Sequence, residues 1–247
     1  MTGQIVITRP RDEAVGLAAE LTARGYETLV EPMLEIVPLS AAIPDLGRYR
    51  ALAFTSANGV RIFADRSAER LLPAYAVGMR TADSLRKAGF TDVRVASGDA
   101  EALAEFIRET LGGGGLLLHI CGKNVARDMG MLLAPAIAVD SLALYEAVPA
   151  DTFSKPLVDG LYACTIDSVL FFSVRTATTF GTLLRKFGLA EMITPISALC
   201  LSNQVAAEAE KLPWRKVLAA TQPTPRSVIA LLPLADGGRG RNAGHGR

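Results

Sequence analysis

The fold can be predicted from the stretch Leu142-Ala-Leu-Tyr-Glu-Ala-Val-Pro149, which reads as an extended segment that ends in Val-Pro. An earlier stretch, Met33-Leu-Glu-Ile-Val-Pro-Leu39, carries the same Val-Pro dipeptide. Each belongs to a longer segment, 5–39 or 116–150, that runs strand, helix, strand and then this extended stretch. If one domain is inserted in another, these stretches are where the chain crosses over and back, so we expect them to lie side by side as a two-strand connector. The proline at the end of each stretch suits a strand edge and stops further pairing.

Further segments repeat along the chain, but in a shifted order. The segments 54–63, 75–85 and 97–103 resemble 172–180, 196–205 and 221–228, whereas the first segment, 5–39, pairs with 116–150, which comes between these two sets. This order predicts one discontinuous domain from residues 1–37 plus 152–234 and a second domain, 40–148, inserted within it. The Gly/Arg-rich tail, 235–247, is predicted to be disordered. The alternative is that strand–helix units resemble one another without any duplication.

The alternation of short apolar runs with helical patterns covers most of the chain. Such alternation is typical of an α/β fold with mainly parallel sheets flanked by helices. In sheets of this kind, ligands bind beyond the carboxyl ends of the strands. The sequence therefore predicts both the fold class and the edge of each sheet at which a site should lie.

Composition excludes several classes of function. The 247 residues are 50% hydrophobic and carry a net charge of +1, which gives no overall field toward nucleic acid or a membrane surface. The N-terminal segment reads directly as a strand rather than a signal peptide, and no apolar run is long enough to span a bilayer. Cys121, Cys164 and Cys200 have no paired spacing, so we expect reduced thiols in a cytoplasmic protein.

The sequence predicts neither a metal site nor a cofactor. Its two histidines, His119 in an apolar run and His245 in the tail, have no cluster of cysteines or carboxylates around them. A P-loop is absent, and no Gly-x-Gly-x-x-Gly follows a strand, which argues against the usual nucleotide-binding loops. We interpret His119 as a packed strand residue rather than a catalytic one.

Small polar residues and cations follow the predicted strands, where helices begin. N-capping of those helices explains any one of the small residues, but together with backbone N–H groups they also predict a distributed surface for a ligand with several carboxylates or phosphates. The candidate binding residues are Arg9, Thr55, Ser56, Asn58, Arg80, Ser97, Lys123, Ser173, Arg175, Thr176, Ser202 and Asn203.

Tyr145 lies on the second Val-Pro stretch, beside Glu146. A tyrosine at a connector between two domains could present its hydroxyl to a ligand as a weak acid or hydrogen-bond donor. The alternative is an aromatic side chain that only packs the connector. The residues alone leave both interpretations open.

Several of these segments resemble the uroporphyrinogen-III synthase family. The resemblance is carried by Ile7-Thr-Arg-Pro, Glu35-Ile-Val-Pro, Phe54-Thr-Ser-Ala-Asn-Gly-Val, Leu144-Tyr-Glu-Ala and Phe171-Phe-Ser, in this order over about residues 3–233. It implies two flavodoxin-like α/β domains with parallel sheets, one inserted in the other, joined by a two-strand connector and with the active site in the cleft. It also implies a cytoplasmic enzyme, which we expect to be a monomer.

The resemblance implies a lyase reaction in tetrapyrrole and haem biosynthesis. Hydroxymethylbilane, a linear tetrapyrrole with acetate and propionate side chains, loses water and closes into uroporphyrinogen III with inversion of its terminal ring. By resemblance, Tyr145 is the expected hydroxyl donor and Thr81 a second catalytic residue. The second half departs from the family pattern at Val174, Leu201-Ser-Asn-Gln204 and Val205, which weakens the expected site on that side.

Two other classes of protein remain open from the residues alone. One is a cytosolic two-domain protein that binds or senses a small anion without turnover. The other is a glycosyltransferase-like enzyme, which should need a nucleotide-sugar site with a placed carboxylate or basic clamp.

Overall fold

A computed structural model describes residues 3–125 and 127–233. His245 and the tail that the sequence predicts to be disordered lie outside these residues. In chain order the strands and helices are β1 (Gln4–Ile7), α1 (Arg11–Ala23), β2 (Thr28–Val30), β3 (Leu34–Pro38), β4 (Ala51–Phe54), α2 (Ala57–Arg66), β5 (Ala74–Ala76), α3 (Met79–Lys87), β6 (Val93–Val95), α4 (Ala100–Leu111), β7 (Leu116–Gly122), α5 (Met129–Leu133), β8 (Ala138–Pro149), α6 (Lys155–Tyr162), β9 (Ile166–Phe171), α7 (Val174–Lys186), β10 (Ser197–Cys200), α8 (Asn203–Ala209), β11 (Lys216–Ala219) and α9 (Pro225–Ile229).

The chain divides into two compact units. One contains the residues up to Glu35 and from Pro149 onward, and the other contains Ile36–Val148. The first unit holds a sheet of order β11-β10-β9-β1-β2, and the second holds one of order β3-β8-β7-β4-β5-β6. The pairs within β11-β10-β9-β1-β2 and within β8-β7-β4-β5-β6 are parallel, which confirms the predicted α/β class.

The two sheets repeat one arrangement. If β7 and β8 correspond to β1 and β2, and β4, β5 and β6 to β9, β10 and β11, the parallel strands occupy the same positions in both sheets. This is the 2-1-3-4-5 order of flavodoxin-like sheets. The correspondence agrees with the shifted repeat in the sequence, in which segment 5–39 matches segment 116–150.

Both faces of each sheet are buried because alternate residues of a strand point to opposite sides. In β4, Leu52 and Phe54 pack into one core cluster, whereas Ala51 and Ala53 pack into another. In β9, Val169 and Leu170 are divided between two clusters in the same way. Near-continuous apolar strands are what a parallel sheet covered by helices on both faces requires.

Helix boundaries follow local chemistry. Helix α1 buries Ala14, Leu17 and Leu21, and Gly25 just beyond it adopts a φ of +87°, a conformation that favours glycine. At the other end of the chain, Thr224 caps α9 by accepting a hydrogen bond from the Ser227 N–H at 3.2 Å. Pro225 follows at the first helical position, where its missing N–H costs nothing.

The two Val-Pro stretches form neighbouring strands, as predicted: β3 lies beside β8 in the sheet of the second unit. The N–H of Leu39 donates to the carbonyl of Leu144 at 2.8 Å, and the N–H of Ala150 donates to the carbonyl of Met33 at 3.0 Å. One residue number rises as the other falls, so the two strands are antiparallel. The chain enters the second unit along β3 and leaves it along β8.

Candidate active site

Each unit carries its own set of predicted site residues at the carboxyl edge of its sheet. In the second unit these are Thr55, Ser56, Asn58, Arg80, Thr81, Ser97, Lys123 and Tyr145, and in the first they are Arg9, Ser173, Arg175, Thr176, Ser202 and Asn203. This edge is where parallel α/β sheets bind ligands.

Three predicted binding serines are N-caps. The hydroxyl oxygens of Ser56, Ser173 and Ser202 accept hydrogen bonds from N–H groups two or three residues further on, at 3.1, 3.2 and 3.4 Å. The capping interpretation is therefore confirmed for these residues. Their oxygens satisfy helix donors that would otherwise lack a partner, so a ligand here would be held chiefly by backbone groups around them.

The other small polar candidates differ in exposure. Thr176 is 3% exposed and its hydroxyl donates to the Ser173 carbonyl at 2.9 Å, which makes it a structural residue of the first turn of α7. Asn58 is 7% exposed in the first turn of α2. Ser97 is exposed in the turn after β6, and Asn203 is exposed at the first position of α8.

Helices α1 and α3 differ from these capped helices because their N-cap residues have no side chain that caps them. Within the described residues, their N-cap positions, Pro10 and Gly78, supply no side-chain hydrogen bond. The first N–H groups of these two helices are therefore not satisfied by a capping side chain, and they carry the positive end of the helix dipole. Thr81 is the third residue of α3 and is 5% exposed. The start of α3 suits an anion better than that of α1, because α1 carries Asp12 and Glu13 in its first turn whereas α3 carries no acidic residue there.

The predicted cations fall into two groups. Arg9 is held by Glu13, with Nη2 2.7 Å from the carboxylate, and it lies over the ring of Phe172 at 4.7 Å. The Lys123 ammonium lies 3.1 Å from the Glu146 carboxylate. Arg80 is exposed in the first turn of α3, and Arg175 is partly buried in the first turn of α7; both also make interactions in the structure. Carboxylates thus offset part of the charge of Arg9 and Lys123.

Tyr145 is placed by a bulge in β8. Cys121 lies opposite Ala143, but the next residue of β7, Gly122, lies opposite Tyr145 rather than Leu144. Leu144 and Tyr145 would normally point to opposite faces, yet both pack against the same core cluster. The bulge therefore re-aims the tyrosine.

Two glycines make room for the Tyr145 ring. A Cβ at Gly122 would lie 2.9 Å from Cε2, 3.0 Å from Cζ and 3.3 Å from the hydroxyl oxygen of Tyr145. A Cβ at Gly59, in the first turn of α2, would lie 3.7 Å from Cε1. The main-chain carbonyl of Tyr145 also accepts a hydrogen bond from the Lys123 N–H at 2.7 Å. Ring and backbone are thus both fixed at the carboxyl end of β7. The two glycines were missed in the sequence because their role depends on the bulged register.

Thr55 follows β4 and contacts a buried histidine. Its hydroxyl oxygen lies 3.3 Å from Nε2 of His119, which is 1% exposed in β7. Burial lowers the pKa of His119 to about 4, so the ring is neutral at physiological pH. The interpretation of His119 as a packed strand residue agrees with this burial, but the sequence did not indicate its contact with Thr55.

The described residues contain no group of three or more His, Cys, Asp or Glu side chains that could hold a metal ion. The three cysteines are free, and burial raises the pKa of Cys121 to about 11 and that of Cys200 to about 12. These two thiols are therefore protonated and unreactive at neutral pH. Over the same residues, no helix combines the length and apolar character needed to cross a bilayer.

Two cavities, of about 390 and 640 Å³, lie elsewhere. Both are lined by Asp167 and Arg215. The smaller also contacts Ser197 and Lys216, at the amino ends of β10 and β11, and the larger contacts Gln4 and Ile166, at the amino ends of β1 and β9. The opposite edge of that sheet carries the predicted site residues, so these cavities have no part in the candidate site.

Fold and site together define a flavodoxin-like α/β protein. Its two sheets share the same order of parallel strands, and a tyrosine is fixed at the end of a central strand. The family model described as uroporphyrinogen-III synthase HemD matches residues 16–230. The chain therefore belongs to the uroporphyrinogen-III synthase family.

Individual relatives agree with this assignment. The chain is 26% identical over 251 residues to the porphyrin biosynthesis protein HemD of Ruminiclostridium josui, an alignment that covers 95% of this chain and 49% of that protein. It is 30% identical over 95 residues to the uroporphyrinogen-III synthase of Chlorobaculum parvum, covering 34% of this chain and 39% of that one. The chain thus spans about half the length of the first relative, and its alignment reaches less of the second.

Solved structures share the fold. The uroporphyrinogen-III synthetase of Helicobacter pylori matches with a TM-score of 0.61 at 18% identity, over 93% of this chain and 97% of that one. A mutant uroporphyrinogen III synthase of Thermus thermophilus matches with a TM-score of 0.51 at 18% identity, over 93% and 96% of the two chains. At such identities the likeness establishes the α/β architecture.

Proposed function

We propose that this protein is a cyclising lyase that converts hydroxymethylbilane into uroporphyrinogen III, with loss of water, in the biosynthesis of haems and other tetrapyrroles. The observation that carries the proposal is the Tyr145 hydroxyl, held at the carboxyl end of β7 between two glycines, in a chain whose residues 16–230 match this family.

Tyr145 is the proposed proton donor. As the C–O bond of the terminal hydroxymethyl group breaks, the phenol gives its proton to the leaving oxygen, and water departs. The azafulvenium cation left behind is attacked by the terminal pyrrole at its substituted carbon, which gives a spiro intermediate. Fragmentation and recombination invert that ring and close the macrocycle, and the proton released on closure returns to the phenolate.

The carboxylates of the substrate are proposed to bind at helix starts. The uncapped N-terminus of α3 offers backbone N–H groups and the positive end of its dipole, with no acidic residue in its first turn. Arg80 in the first turn of α3 adds a positive charge. Because a flexible tetrapyrrole must be held so that the unfavoured carbon attacks, we assign most of the rate enhancement to orientation, which can contribute about 7–11 kcal/mol in well-positioned reactions.

The deciding experiment is an isomer-resolved assay, because hydroxymethylbilane also closes spontaneously to the uninverted isomer. We expect the wild-type protein to produce the inverted isomer and Tyr145→Phe to lower that turnover about 10²–10⁴-fold. Thr81→Ala should cost less, and its effect on the free energy of unfolding is measured separately. Production of the inverted isomer by Tyr145→Phe at the wild-type rate would show that the hydroxyl is structural, whereas an inactive wild type that still binds the substrate would favour an anion-binding protein without turnover.

We further propose that the enzyme acts in the cytoplasm as a monomer, without metal or organic cofactor and without nucleic acid or membrane partners. The net charge of +1 supports the absence of a nucleic-acid partner. Analytical ultracentrifugation of the purified chain tests the monomeric state, and a sedimenting dimer would contradict it.

A further inference from the structure

His119 is almost completely buried, although its imidazole ring carries two polar nitrogen atoms. It lies in the middle of β7, where it is 1% exposed, and its Nδ1 atom has no hydrogen-bond partner among the described residues. Buried polar atoms are nearly always paired. A core position of this kind is usually apolar, so an imidazole with one unsatisfied nitrogen requires an explanation.

The position of the imidazole proton follows from this unsatisfied nitrogen. A neutral imidazole has one N–H and one lone pair. If Nδ1 carried the proton, a buried N–H would have no acceptor, which is rarer in proteins than an acceptor without a donor. If Nε2 carries it, the N–H donates to the Thr55 hydroxyl 3.3 Å away, and only a lone pair is left unsatisfied. The second arrangement is the more stable one.

The direction of this hydrogen bond decides what Thr55 can do. A hydroxyl has a single proton, so a threonine that accepts from His119 keeps that proton for another acceptor. Thr55 is partly exposed and stands at the carboxyl edge of the sheet, directly after β4. His119 is neutral at physiological pH and has a single N–H, and it is the unpaired Nδ1 that favours this proton on Nε2.

We propose that His119 is a positioning residue, which holds Thr55 as a hydrogen-bond donor toward a carboxylate of the bound substrate. The proposal rests on the function proposed above and assigns to that site one specificity contact, made by Thr55 from the turn that follows β4. His119 itself does not touch the substrate. Its contribution is to exclude the arrangement in which Thr55 donates inward and presents only lone pairs to an anion.

The first test is the tautomer, and it uses no substrate. The chain has only two histidines, so ¹⁵N-labelled histidine gives two sets of ring signals, which the His245→Gln variant assigns. We expect His119 to show a protonated Nε2 and an unprotonated Nδ1 at neutral pH. A protonated Nδ1 would overturn the proposal, because Thr55 would then be the donor to His119.

The second test separates binding from turnover. Because a hydrogen bond to a charged group is worth about 1.5–3 kcal/mol, Thr55→Val should raise KM for hydroxymethylbilane about tenfold or more, with kcat changed little. His119→Leu should raise KM in the same way, and His119→Gln, which restores an N–H near the position of Nε2, should recover most of the affinity. The double variant with Thr55→Val and His119→Leu should be no worse than Thr55→Val alone.

Independent, additive effects of the two variants on KM would overturn the proposal, and so would a fall in kcat alone. An inactive wild type refutes the proposed function and this inference with it, whereas an active wild type with additive variants refutes only this inference. Thermal unfolding of each variant identifies those that fail to fold. If His119→Leu is one of them, the tautomer and the Thr55→Val kinetics still decide the question.

Discussion

Replacing Gly122 by alanine should disable the candidate site without changing any polar group. The new Cβ would lie 2.9 Å from Cε2 and 3.0 Å from Cζ of Tyr145. Carbon atoms in contact normally stand about 3.5–4.0 Å apart. The tyrosine ring must therefore retreat by about 0.5–1 Å, and the core packed against it must adjust.

The expected losses of stability and of turnover can both be given a magnitude. Overpacking of this kind costs about 1–3 kcal/mol of stability. A displacement of about 1 Å in a catalytic group can lower a rate about 10²-fold. We therefore expect Gly122→Ala to remain folded, to unfold at a lower urea concentration, and to form the inverted isomer about 10²-fold more slowly than wild type.

The assay is isomer-resolved turnover combined with urea unfolding of the same preparations. Gly113→Ala is the matched control, because a Cβ there meets no atom within 4 Å and the residue does not have a positive φ. Gly59→Ala should change turnover little, since the new Cβ would meet its nearest atoms at 3.4–3.7 Å, an ordinary contact distance. In a Tyr145→Phe background, Gly122→Ala should cause little further loss of turnover. Wild-type turnover by Gly122→Ala, or an undiminished effect in that background, would refute the reasoning.

Four further predictions concern independent folding, metal dependence, salt and pH. The fragment Leu39–Val148 should fold cooperatively when expressed alone, because it contains its own core; a fragment that stays unfolded while the whole chain folds would contradict the predicted boundary. Turnover should survive exhaustive dialysis against a chelator, and KM should rise with salt, because exposed charges are screened over about 8 Å at physiological ionic strength; activity restored only by added metal would refute the first claim. Because burial lowers the pKa of His119 from 6.5 to about 4, the unfolded chain binds more protons between these values. The free energy of unfolding should therefore fall by about 2 kcal/mol between pH 7 and pH 5 on account of this group, a loss that His119→Gln should remove and His245→Gln should not.

The parts of the fold that could be predicted are those marked by short sequence patterns that occur more than once in the chain. Apolar runs alternating with amphipathic helices identify parallel sheets, and the Val-Pro stretches predicted the pairing of β3 with β8. The shifted repeat predicted that β7 and β8 take the places of β1 and β2, because equivalent segments form equivalent strands. The independent folding of residues 40–148 stays a prediction.

The candidate site was less predictable because its geometry is set across strands. The sequence marks Tyr145 but not the bulge that brings it beside Gly122, since a bulge changes register without leaving a residue pattern. Some interactions were visible, such as N-capping by Ser56, Ser173 and Ser202, because each of these residues precedes a predicted helix. Others, such as the contact of Thr55 with His119 across 64 positions, depend on the alignment of β4 with β7.

The matching strand orders have a consequence for the ancestry of the chain. Moving β7 and β8 ahead of β4 converts the order of the second unit into that of the first, so each unit is a circular permutant of the other. A permuted copy can be inserted into its twin only if its new ends lie close together. Here they do, because entry and exit run along paired antiparallel strands, with Leu39 bonded to Leu144 and Met33 to Ala150. The insertion therefore needs no long linker, and it interrupts the chain of the first unit at a single place, between β2 and β9, while the sheet of that unit stays continuous.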